Sequence, residues 1–281
     1  MAPCKTDKTT GGPKHPLGRG DVGLDIGTQT VAVSSAAEVK IHELADKTQN
    51  TEDKRRRVLR KMDRSRRAAN PDNYNADGTV KKQGSKKVRW VRSKRYARLQ
   101  NKLREIYRKQ ADIRKQQHEA MANRIVTLGD QIYIEDMNFK GLQRRSKKSE
   151  KNDRGRFKRK KRFGKSISNK APAMFVSILE RKLKSRGTRL NKVNTRSVKA
   201  SQYNHTDDTY KKKKLSQRWN DIDGRRVQRD LYSAFLIMNV DAGLAGIDKD
   251  KCDRRYDNFL RLHDLEVDRL SGNKNLSSIA I

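Results

Sequence analysis

The chain contains little cysteine, few aromatic residues and no long apolar run. Its 281 residues include only two cysteines, Cys4 and Cys252, which are too few for a disulfide framework and too far apart to form a zinc knuckle by themselves. No stretch of about 18 apolar residues could span a bilayer, and the N-terminal residues lack the apolar core of a signal peptide. We therefore expect two free thiols and no membrane association.

Acidic residues are also scarce relative to basic ones. The 33 Asp and Glu residues stand against 69 Lys and Arg, which gives a net charge of +36. This excess is larger than solubility requires, and its sign predicts nucleic acid as the partner. We expect a cytoplasmic, nucleoid-associated protein. A hydrophobic fraction of 33% beside a charged fraction of 36% favours one modest core with charged arms.

The spacing of apolar residues predicts an α/β fold that begins after an irregular leader at residues 1–20. Period-two alternation predicts strands near 22–26, 31–33, 39–41, 132–135 and 190–193, the first three as a meander. Helical spacing predicts helices near 52–67, 96–125, 171–187 and 230–238. Residues 247–281 form a charged tail, in which we expect a loosely packed helix followed by disorder.

Two basic regions are candidates for nucleic-acid contact. The helices within 52–125 carry Lys and Arg over most of their surface, including Arg55, Arg56 and Arg57. A solvated helical hairpin and a phosphate-tracking surface are both compatible with that pattern. The linker 144–170 contains a run that we expect to become ordered only on nucleic acid. Its candidate contacts are Lys158, Arg159, Lys160 and Lys161.

Three carboxylates occur at the end or edge of apolar stretches: Asp25, Glu135 and Asp230. Each taken alone fits an ordinary role as a turn former, a strand end or a helix cap. Together they fall on the first strand, the fourth strand and a late helix, which can converge at one edge of a sheet. Two divalent ions bridged by carboxylates hydrolyse phosphodiesters, and oxygen-only ligands favour Mg²⁺ or Mn²⁺. The trio predicts a two-ion catalytic site.

Three segments resemble a known family. LDIGTQTVAV, YIEDMNFKGL and QRDLYSAFLI are similar to the three RuvC-like motifs of TnpB proteins, which are transposon-encoded RNA-guided nucleases related to type V CRISPR effectors. The resemblance covers residues 21–246 and implies an RNase H-like (RuvC-like) mixed sheet with a helical insertion at 52–125. It implies that Asp25, Glu135 and Asp230 bind the catalytic metal, and that the chain cleaves DNA directed by a guide RNA.

The chain departs from that family's pattern before the first motif. Only residues 1–20 stand where the family usually carries a guide- and target-binding region. We therefore expect a truncated or split version of the nuclease. A second polypeptide or self-association would then supply the missing region.

A second departure lies between the second and third motifs. Residues 201–223 match the register of the family's zinc ribbon, but Asn204, Asp207, Asn220 and Asp223 occupy the cysteine positions. Because structural zinc is bound by thiolate and imidazole, we expect no structural zinc here. We expect hydrogen bonds and the packing of Trp219 to hold this region, and an ordinary surface role for its histidine, His205. Arg218 stands in a register where family members tend to have Arg, and is expected to neutralise the scissile phosphate.

Two other functions stay open. A non-cleaving RNA- or DNA-binding protein, such as a repressor or guide-RNA holder, would use the basic helices and could dispense with the three carboxylates. An inactive transposon remnant would also lack cleavage. The nuclease is favoured because carboxylates repel phosphate unless a metal neutralises them, so a pure binding protein gains nothing from three of them.

Overall fold

The computed structural model describes residues 14–81, 88–144, 150–153, 155, 163–214 and 216–272. It divides into two compact units. The first, which we call the sheet unit, is drawn from Met1–Ala45 and Gln117–Ile281. The second, the hairpin unit, is Asp46–Gln116. Cys4 lies outside the described residues, whereas Cys252 is a buried free thiol, as predicted.

The sheet unit is built on five strands in the order β3-β2-β1-β4-β5. Their bounds are Asp21–Ile26 (β1), Thr30–Ser35 (β2), Val39–Glu43 (β3), Gln131–Glu135 (β4) and Leu190–Val193 (β5). The first three strands form an antiparallel meander, and β4 and β5 add to it in parallel. Every strand predicted from period-two alternation is present, and the fold is a mixed α/β sheet.

Helices account for most of the remaining described residues. They are α1 Gln49–Ala69, α2 Lys94–Val126, α3 Phe139–Gln143, α4 Gly164–Lys170, α5 Pro172–Lys184, α6 Thr195–Val198, α7 Arg229–Met238 and α8 Lys249–Ser271. The four helices predicted from the sequence correspond to α1, α2, α5 and α7. No helix within the described ranges is long and apolar enough to cross a membrane.

Helices cover both faces of the sheet. On one face, the C-terminal end of α2 and the apolar side of α5 pack against Val22, Leu24 and Ile26. On the other face, α7 and α8 form a second core with Ala32 and Ile41. Asp25 follows the strand alternation onto the α7 side, because its register partner on β2 is Ala32. The fold thereby places the first candidate carboxylate beneath α7.

The prediction of a loosely packed helix in the tail is wrong. The tail helix, α8, is firmly packed, since Cys252, Phe259, Leu260 and Leu270 are all buried. The expected disorder after it falls on residues 273–281, which lie outside the described part of the chain. Within the predicted linker 144–170, Gly164–Lys170 forms the helix α4, anchored by the buried Ile167.

The hairpin unit has a small core of its own. Val58 and Met62 of α1 pack against Ile106 of α2, with the partly buried Tyr96, Leu99 and Leu103 around them. The other helical positions of this unit are mainly polar or basic. This small apolar cluster pairs the two helices within the unit.

Candidate functional site

Two of the candidate carboxylates are brought together by strand pairing. Leu24 of β1 pairs in parallel register with Ile134 of β4, and the next residues along these strands are Asp25 and Glu135. Parallel neighbours end at the same edge of a sheet, and residues two positions apart share a face. Tyr133 packs against the core beneath α7, so Glu135 lies on the same face as Asp25.

The third carboxylate reaches this edge because α7 approaches the sheet unusually closely. A Cβ atom on Gly23 would lie 2.0 Å from the carbonyl oxygen of Ala234 and 2.4 Å from the amide nitrogen of Met238. Asp25 follows Gly23 by two residues on the strand, and Asp230 precedes Ala234 by about one helical turn. This crossing aligns Asp230 with the carboxyl end of β1.

The start of α7 is fixed by hydrogen bonds. The side chain of Gln228 accepts a hydrogen bond from the amide of Leu231 at 2.8 Å, which caps the helix. The amide of Gln228 donates to Nε2 of His263 on α8 at 3.0 Å. Burial lowers the pKa of His263, which favours the neutral imidazole that can accept this bond. Asp230 is therefore held on a capped and anchored helix end.

The three acidic groups influence one another electrostatically. Burial raises the pKa of Asp25 well above its usual range, and the charges of Asp230 and Glu135 raise it further. Arg229 acts in the opposite direction. Burial also raises the pKa of Glu135 to about 7. The edge of the sheet thus concentrates negative charge that a cation would stabilise.

Asp230 has cationic neighbours in the protein itself. Its Oδ1 accepts hydrogen bonds from Nε and Nη2 of Arg229, both at 3.1 Å. Its Oδ2 lies 3.6 Å from Nη1 of Arg218. A backbone bond from Arg229 to the carbonyl of Arg218 sets these two arginines side by side. Arg218, predicted to meet phosphate, therefore lies at the carboxylate site.

The chemistry of these donors fits a hard divalent ion. The three side chains offer only carboxylate oxygens, and burial together with their mutual repulsion raises the pKa of Asp25. As placed, however, no group of three or more His, Cys, Asp or Glu residues in the described ranges closes around a metal position. For Asp25, Glu135 and Asp230 to bind one metal ion together, Arg218 or Arg229 would have to release an oxygen of the Asp230 carboxylate.

The predicted basic contacts have different environments. Arg55 is engaged within the hairpin unit, because its Nη2 lies 2.7 Å from Oε1 of Glu52 and its guanidinium stands 5.8 Å from the ring centroid of Tyr107. Arg56 is exposed and lies 3.7 Å from the same Glu52 oxygen. Arg57 is exposed. The remaining candidates, Lys158, Arg159, Lys160 and Lys161, fall outside the described residues.

The region predicted as a degenerate zinc ribbon forms two short hairpins. They pair Tyr203–Asn204 (β6) with Thr209–Tyr210 (β7), and Trp219–Ile222 (β8) with Arg225–Gln228 (β9). Hydrogen bonds hold the first turn: Asn204 accepts from Thr206, and Asp207 accepts from Thr209. The second turn is Asp223-Gly224, with both residues at positive φ. The guanidinium of Arg226 packs 4.3 Å from the centroid of Trp219.

The prediction of a surface role for His205 is wrong. His205 is only 1% exposed, and its Nδ1 lies 2.6 Å from the hydroxyl of Tyr232 on α7. The imidazole also makes an edge contact with Tyr256 on α8. The first hairpin is therefore tied to the helix that carries Asp230.

Sequence reasoning missed three residues that shape the site: Gly23, Arg229 and His263. Arg229 directly precedes Asp230, but in a chain with 69 basic residues its position alone carries little signal. Gly23 has a signal in the sequence, because a glycine inside a strand can mark a close approach of another backbone.

Comparisons with models of protein families and with curated proteins give no match for this chain.

Proposed function

We propose that the sheet unit is an RNase H-like, RuvC-like endonuclease that hydrolyses DNA with Mg²⁺ or Mn²⁺ and is guided by RNA in the manner of TnpB proteins. The observation that carries this proposal is the convergence of Asp25, Glu135 and Asp230 at one edge of a mixed sheet, where burial and then the charges of the other two carboxylates raise the pKa of Asp25. An excess of basic charge supports a polyanionic substrate.

In this proposal each functional group has a separate task. Asp25, Glu135 and Asp230 would hold two divalent ions, which when bound activate the attacking water and stabilise the leaving alkoxide. Arg218 would leave Asp230 and pair with the scissile phosphate. Hydrolysis forms a bond between the water oxygen and phosphorus and breaks the bond from phosphorus to the leaving oxygen, which takes up a proton. The anchored end of α7 keeps Asp230 in place throughout.

A non-cleaving nucleic-acid-binding protein is the second candidate. Its specific support is the ion pairing of Asp230 with Arg229 and Arg218, since these contacts neutralise that carboxylate without a metal. In this case the carboxylates would be structural, and the basic residues would carry the function.

A cleavage assay separates the two functions. Wild type and Asp25→Ala are incubated with single-stranded DNA and Mg²⁺ or Mn²⁺ at near-physiological salt, with and without co-purified RNA. We expect the wild type to cut and Asp25→Ala to lose cutting completely. Its affinity for DNA should be equal or higher, because a negative charge that repels phosphate is removed. Dependence of cutting on the RNA would support the guided mechanism.

The matched control is Asp136→Ala, which removes an exposed carboxylate beside Glu135 and should retain cutting. If Asp25→Ala cuts like the wild type, or loses binding in parallel, the assigned role is wrong. Absence of cutting in every arm, with RNA tightly retained, would favour the binding protein.

A further inference from the structure

The hairpin unit contains a cleft that the proposed nuclease chemistry does not use. It is lined by Arg66, Trp90, Val91, Arg92 and Tyr96 and has a volume of about 140 Å³. Trp90 and Tyr96 are both partly accessible, and Val91 is 62% exposed. Partly open aromatic rings beside two guanidinium groups form a surface suited to a flat, anionic ligand.

The cleft is held in shape by a buried asparagine at the end of α1. The side-chain oxygen of Asn70 accepts a hydrogen bond from the amide of Val91 at 2.6 Å, and its Nδ2 donates to the carbonyl of Val91 at 3.0 Å. The same Nδ2 lies 2.8 Å from the carbonyl of Arg66. One side chain thus joins both walls of the cleft, so the cleft is formed before any ligand binds.

The α2 side of the cleft is fixed in a similar way. Oγ of Ser93 accepts a hydrogen bond from the amide of Tyr96 at 3.1 Å, in the manner of a helix cap. The same hydroxyl lies 3.0 Å from Oγ of Ser65 on α1. These bonds set the position of the Tyr96 ring relative to α1.

Trp90 is already arranged for stacking with flat cationic or aromatic groups. The guanidinium carbon of Arg66 lies 5.1 Å from its ring centroid, and the ring of Tyr74 meets it edge-on at 5.7 Å. Nη2 of Arg66 is paired with Asp63 at 3.0 Å. Its Nε is buried without a hydrogen-bond partner in the described part of the chain. A buried, unsatisfied donor is costly, and this cost belongs to holding the Arg66 guanidinium against Trp90.

The charge around the cleft selects an anion. Among the described residues 88–104, seven are Lys or Arg and none is Asp or Glu. Arg89, Arg92, Lys94 and Arg95, which flank Trp90 in the chain, are all exposed. Exposed basic side chains of this density attract phosphate through counterion release. The aromatic cleft and the surrounding charge therefore favour a ligand that joins a flat ring to a phosphate.

We propose that this cleft binds an unpaired nucleotide of single-stranded RNA or DNA. The base contacts the partly accessible rings of Trp90 and Tyr96, and the exposed Arg92 meets the adjacent phosphate. The size agrees with one aromatic ring, since an apolar cavity of about 150 Å³ accepts benzene. A paired base in a duplex cannot present its face to such a cleft. The site is independent of the nuclease proposal because it acts through binding alone.

Intrinsic fluorescence provides a direct test, because the chain has only two tryptophans, Trp90 and Trp219. In a Trp219→Phe protein, Trp90 is the sole emitter. The protein is titrated with oligouridine, oligothymidine, an abasic oligonucleotide of equal length and a duplex. Stacking of a base on the indole should quench the emission when oligouridine or oligothymidine is added. The oligonucleotide that quenches at the lower concentration is the preferred ligand. The abasic strand and the duplex should quench weakly. Equal quenching by all four, or none, would overturn the proposal.

Affinity measurements add a second readout at a salt concentration of about 0.15 M. Trp90→Ala should weaken binding of the base-containing single strand by about tenfold or more, the range of one lost stacking contact, and leave abasic binding unchanged. Trp90→Phe should retain most of the affinity.

The matched control is Tyr107→Ala, which removes a 45% exposed aromatic residue from α2 outside the cleft. If it weakens binding as much as Trp90→Ala does, the effect is not specific to the cleft and the proposal is wrong.

Discussion

Glu135 shows what burying a carboxylate at this site costs the protein when no metal is present. Burial raises its pKa from an ordinary value of 4.5 to about 7, so the folded protein retains a proton that the unfolded chain releases. Between these two pH values the folded state binds more protons, and its stability falls as pH rises. Above about pH 7 the buried carboxylate is ionised and the full cost is present.

We predict that Glu135→Gln removes this part of the pH dependence. In EDTA, the free energy of unfolding of the wild type should decrease between about pH 4.5 and pH 7 more steeply than that of Glu135→Gln. At pH 8 the variant should melt at a higher temperature, with roughly 2–4 °C for each kcal/mol gained. Thermal unfolding followed by circular dichroism across this range measures both effects.

Adding Mg²⁺ tests the origin of the cost. A bound cation would stabilise the wild type at pH 8, and Glu135→Gln should gain less from it. The control is Asp136→Asn, which changes an exposed neighbouring carboxylate and should keep the wild-type pH dependence. Identical pH profiles for Glu135→Gln and the wild type would show that Glu135 does not titrate as inferred.

At the scale of elements, the crossing of α7 over β1 decides whether the site exists. The helix can lie this close only because position 23 has no side chain. A Cβ there would meet backbone atoms of Ala234 and Met238, which cannot rotate away as a flexible side chain could. The separation between Asp25 and Asp230 is therefore coupled to a glycine that carries no chemistry.

We predict that Gly23→Ala displaces α7 and reduces cleavage far more than a single methyl group normally would. Overpacking in a core typically lowers the free energy of unfolding by about 1–3 kcal/mol. Because the added methyl group would meet backbone atoms, we expect Gly23→Ala to lose about 3 kcal/mol or more. Chemical denaturation measures the loss of stability, and the cleavage assay measures the loss of function. Gly27→Ala is the matched control, because its nearest neighbour would be 3.5 Å away. Equal stability of the two variants would contradict the tight crossing.

The sequence predicts the strands and the longer helices because local periodicity determines them. It also predicts that Asp25, Glu135 and Asp230 lie on elements that can converge, since strand alternation and the order of strands and helices can be inferred from the sequence. The packing of α8 was not predictable in this way. Its buried residues are separated by many charged ones, and its role depends on β3, where Glu266 accepts a hydrogen bond from the amide of Ile41 at 2.8 Å. Such a contact between residues 225 positions apart has no local signal.

His205 illustrates the same limit. Its neighbours in the sequence are polar, which is typical of a surface loop. Its burial arises only when the first hairpin packs against Tyr232 and Tyr256. The ion pair of Asp230 with Arg218 also depends on the second hairpin, which brings Arg218 back to the start of α7. Tertiary packing, and not residue pattern, determines these features.

At the scale of the whole molecule, a charge of +36 ensures attraction to any nucleic acid at low salt, so affinity alone is uninformative. The distribution of that charge is more informative. Some basic side chains are already engaged within the fold, as Arg55 is with Glu52 and Tyr107. Others, such as Arg57, are exposed. Only the second kind can release counterions from a bound phosphate backbone without first breaking a contact.

We predict that neighbouring arginines of α1 differ in their effects on binding. If the hairpin unit binds the phosphate backbone, Arg57→Ala should reduce the magnitude of the slope of log affinity against log salt concentration by at most about one for a single-stranded nucleic acid. Its melting temperature should be unchanged. Arg55→Ala should lower the melting temperature, because it leaves the buried carboxylate of Glu52 with a weaker partner, and should change the slope less. Fluorescence anisotropy titrations at several salt concentrations measure the slope. Equal slopes for Arg57→Ala and the wild type would mean that this face of α1 is only a solvated helix surface.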